Sequence, residues 1–248
     1  MPAFAAPTTS EWEDPLVKYS YHIGNMMEAV SRLKNDFPMD GTSYLTRSME
    51  EEVFFTESTR TNPPPSDWDL RYSGIYCDVY VASGESVSQS ILEDLADLFD
   101  TTIYPGSTDW FHPDDPPSKI DFKIYDLGDG LNGVGGFFIR SPSTSNELYV
   151  DSQDVGIADE VIAHEFEHLL HYDLDPNEEV WLDEGLADLS VRVTLGPDTP
   201  ALQSHLTAFE LYPDNDLLEW DEGVAPDYYE TIADYGRSYA FVSYLADR

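Results

Sequence analysis

The clearest chemistry in this chain lies in five consecutive residues, His164-Glu165-Phe166-Glu167-His168, an H-E-x-x-H pattern. On a helix, a spacing of four residues puts both imidazoles on one face, one turn apart, where one ion can meet both. Imidazole nitrogens suit zinc, and a tetrahedral catalytic site takes three protein ligands and a water. Glu165 lies next to the first imidazole and is placed to act on that water as general base rather than as ligand. The flanking Val161, Ile162, Phe166, Leu169 and Leu170 are apolar, as a helix set into a core requires. His171 falls on the same helical face as the two imidazoles. It is read as a cleft or hydrogen-bonded helix-end residue, with a ligand role as the alternative. His22, His112 and His205 have no comparable context.

The elements that must carry these residues follow from periodicity. Ile157 to Tyr172 reads as a helix, with Asp159 and Glu160 in the first turn, where the dipole favours acids. Asp175-Pro176-Asn177 breaks it, and Glu178 to Leu195 forms a second helix ended by Gly196-Pro197. A helical hairpin of this kind returns the second helix beside the first. Upstream, Ile75 to Val81 is rich in strand formers, and Val87, Ile91, Leu95, Leu98 and Phe99 recur at helical spacing. Ile120, Phe122 and Ile124 alternate with Asp121 and Lys123, the pattern of a half-buried strand. Gly128-Asp129-Gly130 is a loop, followed by strands at Phe137 to Ile139 and Leu148 to Val150. The remainder is helical with proline-containing loops. The chain stops at Arg248 inside a helical stretch, Phe241 to Asp247, as a fragment would. This order predicts an α+β architecture, a mixed sheet packed on the active-site helix and then a helical C-terminal lobe. Residues 1–66 read as a separate N-terminal lobe of unknown role. It has helical spacing from Met26 to Leu33, a short strand at Val53 to Phe55 and a proline-rich linker from Asn62 to Ser66. Residues 67–248 are then the catalytic domain.

Two imidazoles leave one ligand to find. The block Trp181-Leu182-Asp183-Glu184-Gly185-Leu186-Ala187-Asp188 resembles the second motif of the gluzincin metallopeptidases. That group contains thermolysin, the hyicolysin-like peptidases and the zinc aminopeptidases. The resemblance implies a zincin-like fold, one catalytic Zn2+ and Glu184 as the third ligand. It also implies that Asp188 supports a ligating imidazole; a His ligand needs such a partner on its other nitrogen. Asp183 stands where many relatives carry Asn and is taken as a further supporting carboxylate. The rival metzincin pattern needs Gly three residues after the second His and His or Asp three beyond, where this chain has His171 and Leu174. Leu148-Tyr149-Val150-Asp151 resembles the strand that precedes the active helix. Tyr235-Gly236-Arg237-Ser238-Tyr239-Ala240-Phe241 resembles the Y-x-K-G-x-A stretch of zinc aminopeptidases, with Arg237 and Ser238 in place of Lys and Gly. It implies that Tyr235 contacts the reacting carbonyl.

The expected activity is zinc-dependent hydrolysis of a protein or peptide, as an endopeptidase rather than an aminopeptidase. The extended substrate is expected along an edge strand, with Gly135-Gly136-Phe137-Phe138 as candidate. The alternative is an inactive zinc-binding structural or interaction module, which the retained Glu165 argues against. A third class, an acidic calcium-dependent surface module, has only Asp126, Asp129 and Asn132 in its favour, a loop of hard oxygen donors for Ca2+.

Lys and Arg number 12 against 49 Asp and Glu, a formal net charge of −37 spread along the whole chain. Nucleic-acid binding is thereby excluded, since phosphates need basic partners. Such a surface repels itself unless salt screens it, so we expect a protein of a salt-loving organism, at the cell surface or secreted. No apolar run approaches the roughly 18 residues of a membrane span. Cys77 is the single cysteine, so no disulfide framework or cysteine zinc cluster is available within the chain; it reads as a small core residue. Oligomeric state is not legible.

Overall fold

A computed structural model describes residues 62–111, 116–128, 135–139, 146–213, 216–218, 220 and 228–248. The N-terminal elements expected at Met26 to Leu33 and Val53 to Phe55 lie outside these residues. From Asn62 the chain is already tied to the domain: Asn62 donates its backbone N–H to Leu127 O at 3.1 Å and its Nδ2 to Asp126 O at 3.1 Å.

Five strands form one mixed sheet. Strand β1 (Trp68–Ser73) runs antiparallel to β2 (Cys77–Ala82), and β3 (Ile120–Tyr125) runs parallel to β2. Next comes β5 (Glu147–Asp151), parallel to β3, and β4 (Gly136–Phe138) closes the edge antiparallel to β5. The order is β1-β2-β3-β5-β4. The strand expected from Ile75 begins two residues later. Ile75 and Tyr76 form the turn instead, because the Asp100 carboxylate accepts their backbone N–H groups at 2.5 and 2.7 Å. Those donors would otherwise belong to a strand ladder, and Ile75 is left 72% exposed.

Between β2 and β3 the chain crosses over through a longer helical segment than periodicity suggests. Helix α1 (Gln89–Leu98) continues through a π-helical turn (Phe99–Ile103) into α2 (Tyr104–Phe111). The helical spacing of apolar residues in the sequence reaches only Phe99. Pro105 lacks an N–H and its ring crowds the preceding turn, and the wider π turn just before it accommodates both.

After β5 the chain is helical. Helix α3 (Ala158–Leu174) and α4 (Val180–Leu195) form the expected hairpin, followed by α5 (Pro200–Leu211) and α6 (Tyr228–Ala246). Glu160, read as a dipole partner in the first turn of α3, has a second task. Its Oε2 accepts the Ala201 backbone N–H at 2.8 Å and so caps the start of α5.

Period-two alternation divides the sheet faces. Val79, Val81, Phe122, Ile124, Leu148 and Val150 join α1, α3 and α4 in the main core. Phe99 ties the layers together, with its ring 4.9 Å from that of Phe122 and 5.1 Å from that of Phe166 on α3. Burying one such ring contributes about 1.5–3 kcal/mol, so α3 is anchored by a side chain that lies between His164 and His168 in sequence. The outer face carries a smaller cluster of Ala82, Tyr125, Leu127, Phe137 and Tyr149. Cys77 is fully buried as expected, and burial beside Asp100 and Asp78 pushes its thiol up to about 12. Among the described residues no helix is long and apolar enough to cross a membrane.

Candidate metal centre

Helix α3 presents His164 and His168 one turn apart, and α4 brings Glu184 against both. Glu184 Oε2 lies 3.3 Å from His164 Nε2 and 3.7 Å from His168 Nε2. Donor atoms of the three residues all fall within 4.8 Å of one another. The hairpin that makes this meeting possible is closed locally. Asp175 donates its N–H to His171 O at 2.9 Å, and its carboxylate accepts the Asn177 N–H at 3.1 Å.

Each imidazole is backed on its other nitrogen by a carboxylate of α4. Asp188 Oδ1 lies 3.1 Å from His164 Nδ1, and Asp183 Oδ2 lies 3.3 Å from His168 Nδ1. Both acids are buried. Burial alone would raise the Asp188 carboxyl, but the His205 imidazole and the hydrogen bonds of His164 and His205 hold it down at about 2. Asp183 faces the His168 ring with a carboxylate oxygen.

His205, which no motif singles out, joins the site from α5. Its Nδ1 lies 2.7 Å from Asp188 Oδ2. Nothing in the linear spacing announces it, since its contact with Asp188 joins two separate helices and exists only after packing. Tyr235 on α6 is buried, with its ring 5.0 Å from His205, 6.2 Å from His164 and 4.8 Å from Trp220. Two glycines set this arrangement. A Cβ on Gly185 would meet Ser238 O at 2.9 Å and Val242 Cγ2 at 2.7 Å, so α6 crosses α4 right beside Glu184. A Cβ on Gly236 would collide with the His205 carbonyl and Phe209, so α6 also touches α5 beside Tyr235. Tyr239 points elsewhere, into the main core, and Arg237 pairs with Asp234 one turn back on its own helix.

Glu165 is 3% exposed on α3 and belongs to neither cluster of metal-type donors among the described residues. The second such cluster is Glu167, His168 and Asp183. His171 lies behind it, 3.8 Å from both Glu167 Oε1 and Glu178 Oε2, and not with His164 and Glu184. In the loop expected to suit calcium, Asp129 and Asn132 lie outside the described residues. Asp126 Oδ1 already accepts the Gly128 N–H at 2.8 Å and Gln153 Nε2 at 2.7 Å.

Two imidazole nitrogens and one carboxylate oxygen, each ring held from behind by an acid, form a donor set that could hold a metal ion. No family model matches this chain, and no curated protein matches it either.

Proposed function

We propose that this chain is a zinc-dependent peptidase of zincin-like fold, with His164, His168 and Glu184 as ligands and Glu165 as general base. The observation that carries the reading is the convergence of three donors within 4.8 Å while Glu165, one residue from the first, stays outside the group. A purely structural site has no use for a buried acid beside it and fills its fourth position with protein. When bound, zinc would polarise the scissile carbonyl and lower the pKa of a bound water to about 7. Glu165 would act as general base, accepting a proton from the attacking water and passing it to the leaving amine nitrogen. Tyr235 and His205, whose rings lie 5.0 Å apart with that of Tyr235 6.2 Å from His164, supply hydrogen-bond donors for the developing oxyanion. Asp188 orients His205 through Nδ1 and leaves its Nε2 for substrate. Strand β4, on the sheet edge beside α3, offers backbone pairing to an extended peptide. A charge of −37 supports a working environment rich in salt, at the cell surface or outside it.

The deciding experiment measures metal content and hydrolysis of a casein or peptide substrate on the same preparation. One zinc per chain and chelator-sensitive cleavage are expected. Tightly held zinc without cleavage makes the chain a structural zinc module. Absence of zinc binding discards the reading.

A further inference from the structure

Behind His168 lies a buried cluster of acids and imidazoles, of which the proposed mechanism uses only His168 and Asp183. His171 sits one turn beyond His168 on α3 and is 4% exposed. Its Nδ1 lies 3.8 Å from Glu167 Oε1, and its Nε2 lies 3.8 Å from Glu178 Oε2. The other Glu167 oxygen stands 4.0 Å from His168 Nδ1, the nitrogen that Asp183 approaches at 3.3 Å. Glu167, Glu178 and Asp183 are all buried. Carboxylates from α3, from the interhelical turn and from the start of α4 therefore meet around two imidazoles. Only one of these, His168, is needed as a ligand, and a ligating imidazole must be neutral.

We propose that His171 is a positioning residue for the metal centre, a buried imidazolium that offsets Glu167, Glu178 and Asp183. Asp183 can then hold the Nδ1–H of His168 and leave Nε2 to the ion. The inference rests on the metal reading above. Buried acids crowded behind a ligand are costly unless a cation is set among them, and removing that cation leaves them uncompensated. The environment of His171 agrees with this role. Burial opposes its charge, but Glu178, Glu167 and Asp183 outweigh burial and raise the imidazole from 6.5 to about 9. Lys or Arg would carry the same charge on a longer, more mobile stem, whereas an imidazolium spans two acids with its two ring nitrogens.

The test uses the full chain with nitrogen-15 histidine, metal-free and with zinc. At about pH 8, where an ordinary histidine is neutral, the His171 ring is expected to carry protons on both nitrogens in both forms. His171→Gln is expected to weaken zinc binding about 10- to 100-fold, as loss of an outer support does. His171→Lys is expected to recover most of that loss, which a packing role would not. A His171 ring with one protonated nitrogen overturns the proposal, as does a Gln variant with unchanged zinc affinity. Uptake of a second zinc that shifts the His171 resonances assigns the cluster to another cation and also overturns it. If the Gln variant does not fold, the wild-type spectrum decides alone. A chain that binds no zinc at all sinks the peptidase reading together with this one. A neutral His171 in a zinc-loaded chain sinks only the present proposal.

Discussion

Asp188 stands 3.1 Å from His164 through one carboxylate oxygen, while its other oxygen stands 2.7 Å from His205. One buried acid thus orients both a proposed ligand and a proposed substrate-facing imidazole. Asp188→Ala is expected to weaken zinc binding about 10- to 100-fold and to lower activity further in the zinc-saturated enzyme, because His205 also loses its support. Glu184→Ala, which removes a donor outright, is expected to weaken zinc more than Asp188→Ala does. Equilibrium dialysis ranks the two variants. Equal zinc affinity of wild type and Glu184→Ala would place the third ligand elsewhere.

Glu165→Gln separates base from ligand. The variant is expected to bind zinc as the wild type does and to lose about 10²- to 10⁴-fold in kcat, the usual contribution of a positioned base. Zinc analysis and steady-state kinetics on one preparation check this. A zinc-loaded variant with normal turnover removes Glu165 from the mechanism.

Tyr235→Phe keeps the ring packed between His205 and Trp220 and removes only the hydroxyl. A lost oxyanion donor costs on the order of 10²–10³ in kcat with little change in KM, since it acts in the transition state. Tyr239→Phe, altered in the main core, is the control expected to leave kcat alone. The reverse pattern would transfer the role to Tyr239.

The metal-free protein should be most stable in a mildly acidic window. His171 is raised from 6.5 to about 9, so its contribution is complete below about 6.5 and is lost as pH climbs through 9. That loss is on the order of 3 kcal/mol. Asp188 is lowered from 3.8 to about 2, so its contribution is present above 3.8 and is lost as pH falls through 2. Urea melts of chelated protein from acid to alkaline pH should fall on both flanks, and His171→Gln should flatten the alkaline one. A wild-type alkaline flank that is level up to pH 9 contradicts the charge assigned to His171.

Salt should stabilise the fold. With a net charge of −37, self-repulsion is screened only as the Debye length shrinks to about 3 Å near 1 M. Thermal melts across a sodium chloride series should rise steadily, and a flat or falling Tm rules this out.

Local sequence was sufficient to bring His164 and His168 to one helical face. A spacing of four between His164 and His168 fixes a shared helical face wherever the helix lies. The breaker Asp175-Pro176-Asn177 specifies a hairpin, and the strands from Ile120 and from Leu148 were legible from alternation and β-formers. Where a local pattern was overridden, a distant side chain or a missing donor was responsible. Asp100 captured the turn at Ile75 and Tyr76, and a π turn carried the helix past Pro105.

Hydrophobic period and residue spacing, both properties of neighbours along the chain, determined the α+β order and the paired imidazoles. Tertiary structure alone decided that Asp183 faces His168, that Asp188 reaches both His164 and His205, and that Tyr235 lies beside them. It also decided that His171 belongs with Glu167 and Glu178 behind the site rather than within it. These contacts join residues of separate helices, and helix rotation and crossing are set by close packing at Gly185 and Gly236. No periodicity within one segment encodes the distance to another; that distance exists only when the helices have packed.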